Sequence, residues 1–210
     1  MNKIADLAAA ATALARNQFW IAGGALLLFM GTGVASDQLG NAGTVASAAL
    51  QLLLQWALLR HVARREGWVG DGDATGGISG LIGMGILKTM GLLLAALLLI
   101  LPAFYLAARW SASSAILVAE DRAPGDSLGL SWERTRPWAG AIAVANCAIY
   151  LPIIGAVLNL ALWSDPAADG AATLLLNATA AWATVGSWYL ALAVYDRTRI
   201  PQIELEQVFA

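Results

Sequence analysis

Two cations, Lys88 and Arg109, stand inside long apolar stretches of this 210-residue chain. A charge at membrane depth is a functional candidate by default, because it has to face a bundle interior, a water-filled cavity or an opposite charge. Uncharged polar residues accompany them: Asn146, and Gln51 and Gln55, which lie one helical turn apart on one face. Together, Gln51, Gln55, Lys88, Arg109 and Asn146 have the chemistry to line a path for a small carried solute. The same residue types also serve as interhelical hydrogen-bond glue, worth ~0.6 kcal/mol each. Lys88 can instead snorkel its ammonium to the inner surface along its four-carbon stem. Asp165 and Asp169, in the loop after the fifth apolar run, are the acids placed to pair with Arg109.

Other chemistry finds less support. The single histidine, His61, sits beside Arg60 and Arg64, so neither a histidine metal cluster nor a Ser-His-Asp arrangement can be assembled around it. Glu120, Asp121 and Asp126 form an acidic group that could hold magnesium for phosphoryl chemistry on lipid headgroups, but at no recognisable spacing. "DGDATG", residues 71–76, imitates the start of a calcium loop, yet Ile82 occupies the twelfth position, where a bidentate Glu is required. The lone cysteine, Cys147, can form no intrachain disulfide. The expectation is a protein without catalytic residues, metal or cofactor.

A second constellation is "GDSLGLSWERTRPW", residues 125–138. It reads as a short amphipathic helix over 127–136, capped by Asp126 or Ser127, with Pro137 opening the next element. Leu128, Trp132 and Thr135 share one face. Trp132 and Trp138 suit the interfacial belt between lipid tails and water. Arg134 and Arg136 suit anionic headgroups, at ~1 kcal/mol each. These four residues form a candidate lipid- or partner-binding surface.

The elements that must position these residues follow from composition. Hydrophobic residues make up 59% of the chain and charged ones 12%, about half the charge of a soluble domain. A bilayer solvates the apolar surface that would otherwise aggregate. A net charge of −2 carries no nucleic-acid signal, and no nucleic-acid partner is expected. The apolar runs are consecutive, which argues for helices and against a barrel. They give an all-α, polytopic single membrane domain over 1–210, with spans at 17–36, 42–63, 82–102, 104–120, 138–163 and 171–195. The fourth span depends on a turn near Pro102. With that turn, Lys3, Arg16, Arg60, Arg64, Arg65, Arg122, Arg134, Arg136, Arg197 and Arg199 all fall on one side. By the positive-inside rule this side is the cytoplasm, and both termini lie in it. Residues 2–16 read as an N-terminal surface helix, and Asp6 and Arg16 ahead of the first apolar run argue against a cleaved leader. Pro152 and Gly155 predict a kink in the fifth span.

The stretch from Leu101 to Trp138 resembles the central block of the YciC-like six-helix inner-membrane proteins, and is similar to the membrane domain fused to some glycerophosphodiester phosphodiesterases. The features are a span with Pro and an aromatic, an early Arg in the next helix, an acidic turn, and a short helix ending S-W-x-x-T. Pro102, Tyr105, Arg109, Glu120, Leu128, Ser131, Trp132 and Thr135 stand in the matching places. The chain departs from the block at Ser127, where Ala is usual, and at Gly129, which weakens the short helix. The resemblance implies six helices in a bacterial-type inner (plasma) membrane and no particular reaction. The expected function is that of a non-catalytic module interacting with anionic lipids, a membrane-protein partner or a second copy; the alternative is a small carrier.

Overall fold

The computed structural model describes residues 2–69, 77–98, 100–163 and 169–199. Every regular element among them is helical: α1 (Lys3–Asn17), α2 (Phe19–Arg65), α3 (Ile78–Leu98), α4 (Ile100–Arg109), α5 (Ser113–Glu120), α6 (Pro124–Arg134), a 3-10 turn (Arg136–Trp138), α7 (Ala139–Trp163) and α8 (Asp169–Thr198). Among the described residues four segments are long and apolar enough to cross a membrane: Phe19–Ser36, Asn41–Arg65, Ile78–Leu97 and Arg136–Leu162. The "DGDATG" stretch and Asp165 lie outside the described residues.

Two of the four segments belong to α2. Its 47 residues would reach ~70 Å if straight, more than twice the ~30 Å hydrocarbon core. Its contacts require it to double back. Ala22 and Leu26 share a cavity wall with Trp182, Val185 and Tyr189 of α8, and Gly33 packs on Asn177 further up the same helix. This first limb runs antiparallel to α8. Gln55 in turn shares a wall with Ser187 and Trp188, and Trp68, just past the helix, packs on Tyr195 with ring centroids 5.0 Å apart. The second limb therefore runs parallel to α8, and the reversal lies between Gly33 and Gln55. The helix stops where "REGW" provides a left-handed glycine. Gly67 has φ +68°, its N–H bonds to Arg64 O at 3.1 Å, and Trp68 N–H bonds to Ala63 O at 2.8 Å. This is a Schellman ending, and it delivers Trp68 to α8.

α3 and α4 form an antiparallel hairpin whose second arm is broken. Gly91 packs on the Trp110 ring and Gly80 on Leu117, so α4 and α5 together retrace the length of α3. The chain turns at residues 110–112 between them, so 104–120 is two short helices instead of one span. Pro102 is not at a turn between helices but inside the first turn of α4, which begins at Ile100. Proline is tolerated in the first turn of a helix, where its missing N–H would have no partner anyway. α7 is helical from Ala139 to Trp163 with Pro152 inside it.

α8 occupies the middle, packed by α1, α2, α5 and α7. Residues Trp188 to Tyr195 are buried without interruption, so this helix has no lipid-facing side there. α1 also packs on the bundle and is no free surface helix: Leu7 and Leu14 are buried, Asp6 pairs with Arg197 at 3.0 Å, and Lys3 Nζ donates to Pro137 O at 2.6 Å. The core lies toward the end defined by these contacts, around Leu58, Val62, Met84, Ile116, Ile142 and Leu192. Toward the other end, large apolar side chains such as Leu27, Leu94, Leu97, Leu151, Leu158 and Leu174 are exposed. A water-facing surface of that kind would aggregate, and a bilayer covers it.

Candidate functional site

Arg109 is the last residue of α4 and is only 2% exposed. Its guanidinium carbon lies 4.3 Å from the centre of the Trp132 ring and 5.8 Å from that of Tyr105. The two rings meet edge to face with centroids 5.8 Å apart. A desolvated cation held over aromatic faces gains ~2 kcal/mol, and a cation at a helix C-terminus also complements the dipole. The carbonyl of Arg109, which α4 leaves without an intrahelical donor, accepts from Ser131 Oγ at 2.8 Å and Thr135 Oγ1 at 2.9 Å. Thr135 Oγ1 also lies 2.6 Å from Ser131 O, so its single proton is shared between two carbonyls.

The short helix α6 is therefore a clamp on α4. It starts earlier than expected, at Pro124 with Ala123 as N-cap, and Ser127 donates back to Ala123 O at 3.0 Å instead of capping it. Ser127, Ser131 and Thr135 recur every fourth residue and are all fully buried. Hydrophobic periodicity aligns Leu128, Trp132 and Thr135 instead of this stripe of small hydroxyl residues. Its signal was the four-residue spacing of small side chains that lets membrane helices approach closely.

The four residues of the candidate lipid surface divide. Arg134 forms a two-pronged pair with Glu120, Nη1 to Oε1 and Nη2 to Oε2, the latter at 3.2 Å. Trp132 is spent on Arg109. Trp138 is half-buried and holds the Lys3 ammonium 5.3 Å from its ring centre. Arg136 is exposed, as are Lys3, Arg64, Arg65, Arg122 and Arg197. Glu120, a member of the acidic group, is also approached by Arg122 at 3.8 Å. Asp121, its neighbour, ends α5 in the left-handed region at φ 47°. The Glu120 carboxylate is thus engaged by two arginines and by the Tyr195 hydroxyl.

The intramembrane candidates divide as well. Gln55, Lys88 and Asn146 line one cavity of about 220 Å³. Gln51, half-buried, lies outside that lining, and so does Arg109. Lys88 stands ten residues from each end of α3, ~15 Å from either. Its ammonium turns inward to Ser114 Oγ at 3.2 Å instead of snorkelling. Arg109 ends a ten-residue helix, deeper than a turn at Pro102 implied, and its neighbours are Tyr105 and Trp132. The cavity adds Ser111, Ser114, Tyr150 and Ser187, which sequence reading did not single out. Nothing in their spacing marks them, because they come from four separate elements. No family model, no curated protein and no solved structure matches the chain.

Proposed function

We propose that this chain is a non-catalytic, six-crossing module of a bacterial-type inner (plasma) membrane that gathers anionic lipid at its basic, cytoplasmic end. The carrying observation is the placement of exposed Lys3, Arg64, Arg65, Arg122, Arg136 and Arg197 around the end where α1 begins and α8 finishes. Toward the opposite end the described residues include exposed Leu27, Leu97, Leu158 and Leu174. In this reading, α4 and α5 together make one broken crossing, α8 is the central crossing, and both termini are cytoplasmic. Membership of the YciC-like family is part of the proposal. It is supported by the convergence of Tyr105, Arg109, Ser131, Trp132 and Thr135 into one packed unit. A membrane-protein partner or a second copy would dock at the same end.

The test is lipid composition around the protein in bicelles of phosphatidylglycerol and phosphatidylcholine, read by mass spectrometry after gentle extraction. Wild-type protein is expected to retain phosphatidylglycerol over phosphatidylcholine. At ~1 kcal/mol per surface Arg, replacing both Arg122 and Arg136 by Gln should reduce that preference about tenfold or more. Equal retention of the two lipids by wild-type protein contradicts the reading. A second reading, a small carrier, is favoured by one observation: Gln55, Lys88 and Asn146 meet in the same cavity.

A further inference from the structure

The Lys88 cavity has a consistent chemistry. Among the described residues no carboxylate lies within ion-pair distance of Lys88, and its one hydrogen bond goes to Ser114. A lone ammonium ~15 Å from both helix ends is costly in a low-dielectric interior unless something negative joins it. The groups around it favour an acceptor-rich ligand. Among the described residues Ser111 Oγ is buried without a partner, and Gln55, Asn146 and Tyr150, all able to donate, share the lining. An ammonium, hydroxyls and amide N–H groups all donate, and an ionised oxyanion accepts from several donors at once with the strength of charge-assisted bonds.

The rest of the lining is apolar: Leu92, Phe104, Trp110 and Trp188. Phe104 is 42% and Tyr150 39% exposed, and these two side chains mark where the cavity reaches the outside of the bundle. Both sit on helices that the six-crossing arrangement places within the bilayer. A ligand entering there arrives from lipid, charged head first, with an apolar tail trailing past the two rings.

We propose that this cavity binds the oxyanionic head, phosphate monoester or carboxylate, of a lipid, with Lys88 as the charge partner and Ser111 and Ser114 as orienting donors. The proposal deepens the carrier reading, yet it concerns binding alone. A failed flux assay would remove the carrier and leave the site standing.

The experiment is native mass spectrometry of the full chain in neutral detergent, titrated with dihexanoyl phosphatidic acid, dihexanoyl phosphatidylcholine or inorganic phosphate. Wild-type protein is expected to take up one phosphatidic acid and to bind phosphatidylcholine at least tenfold more weakly. Lys88→Met should weaken phosphatidic acid at least tenfold and Lys88→Arg much less. The Arg122→Gln, Arg136→Gln double variant should keep that single site while losing the surface preference described above, so the two proposals fail separately. Should Lys88→Met not fold, Ser111→Ala, expected to weaken binding about fivefold, carries the same decision. Unchanged affinity in the Lys88 variant, or in Ser111→Ala where that stands in, overturns the site. Inorganic phosphate binding as tightly as the lipid overturns the lipid source.

Discussion

Trp132→Ala is expected to destabilise the protein by about 3 kcal/mol, the lower end of the range for truncating a packed aromatic, because Trp132 keeps part of its ring exposed. Two losses combine in that figure. The ring covers Arg109 at 4.3 Å, and without it a guanidinium whose Nε and Nη1 have no hydrogen-bond partner among the described residues remains buried with one aromatic neighbour fewer. The edge contact to Tyr105 also disappears, and with it part of the packing of α6 on α4. The arrangement predicts strong coupling. Arg109→Met should be destabilising alone, yet Trp132→Ala together with Arg109→Met should cost clearly less than the two separately, since the double variant leaves no uncovered charge. Equilibrium unfolding in mixed micelles, followed for all three variants, gives the cycle. Strict additivity would show that the two side chains act independently.

Glu120→Gln should cost about 2 kcal/mol. Its carboxylate takes both arms of Arg134, and the two side chains are only 20% and 17% exposed. Removing one partner from a partly buried pair leaves the other charge poorly solvated, which is why such losses exceed those at the surface. The comparison is internal to the molecule. Asp6→Asn breaks the Arg197 pair, whose arginine is 40% exposed, and should cost ~0.5 kcal/mol or less. Urea- or SDS-driven unfolding of both variants decides the matter. A Glu120 effect no larger than that of Asp6 would free Glu120 from its structural role and return it to the ligand-binding candidates.

Much of the architecture was legible because apolar run length is a direct measure of bilayer thickness. The runs at 17–36 and 42–63 correspond to the two limbs of α2, and those at 82–102 and 138–163 to α3 and α7 within a few residues. The interior was harder to read, for a physical reason. Hydrophobic periodicity finds the side chains that leave water, and in this molecule many of those face outward, as Leu94, Leu97 and Leu158 do. The surfaces that bring helices together carry small or hydroxyl residues: Gly33, Gly80 and Gly91, and the Ser127, Ser131 and Thr135 stripe. On α6 hydrophobic periodicity therefore marks Trp132 and not the serines. Arg109 stands out in the sequence as a charge needing company, and beside it lie two rings that no charge-pairing argument would select. The Lys88 cavity was half visible, through Gln55 and Asn146, because polar residues stand out in apolar runs. Ser111, Ser114 and Ser187 did not, since serine is unremarkable among alanines and glycines.

The six-crossing arrangement underlies both functional proposals, and side-specific thiol labelling tests it most directly. In a Cys147→Ser background, single cysteines at Asn41, Glu66, Ala123 and Gly170, all exposed positions, are treated with a membrane-impermeant maleimide on spheroplasts and on inverted vesicles. The account predicts labelling of Asn41→Cys and Gly170→Cys only from the outside, and of Glu66→Cys and Ala123→Cys only from the cytoplasmic side. Ala123→Cys labelled from the outside, with Gly170→Cys labelled from within, would mean that α4 and α5 do not cross. The basic residues would then be divided between two faces, contradicting the account.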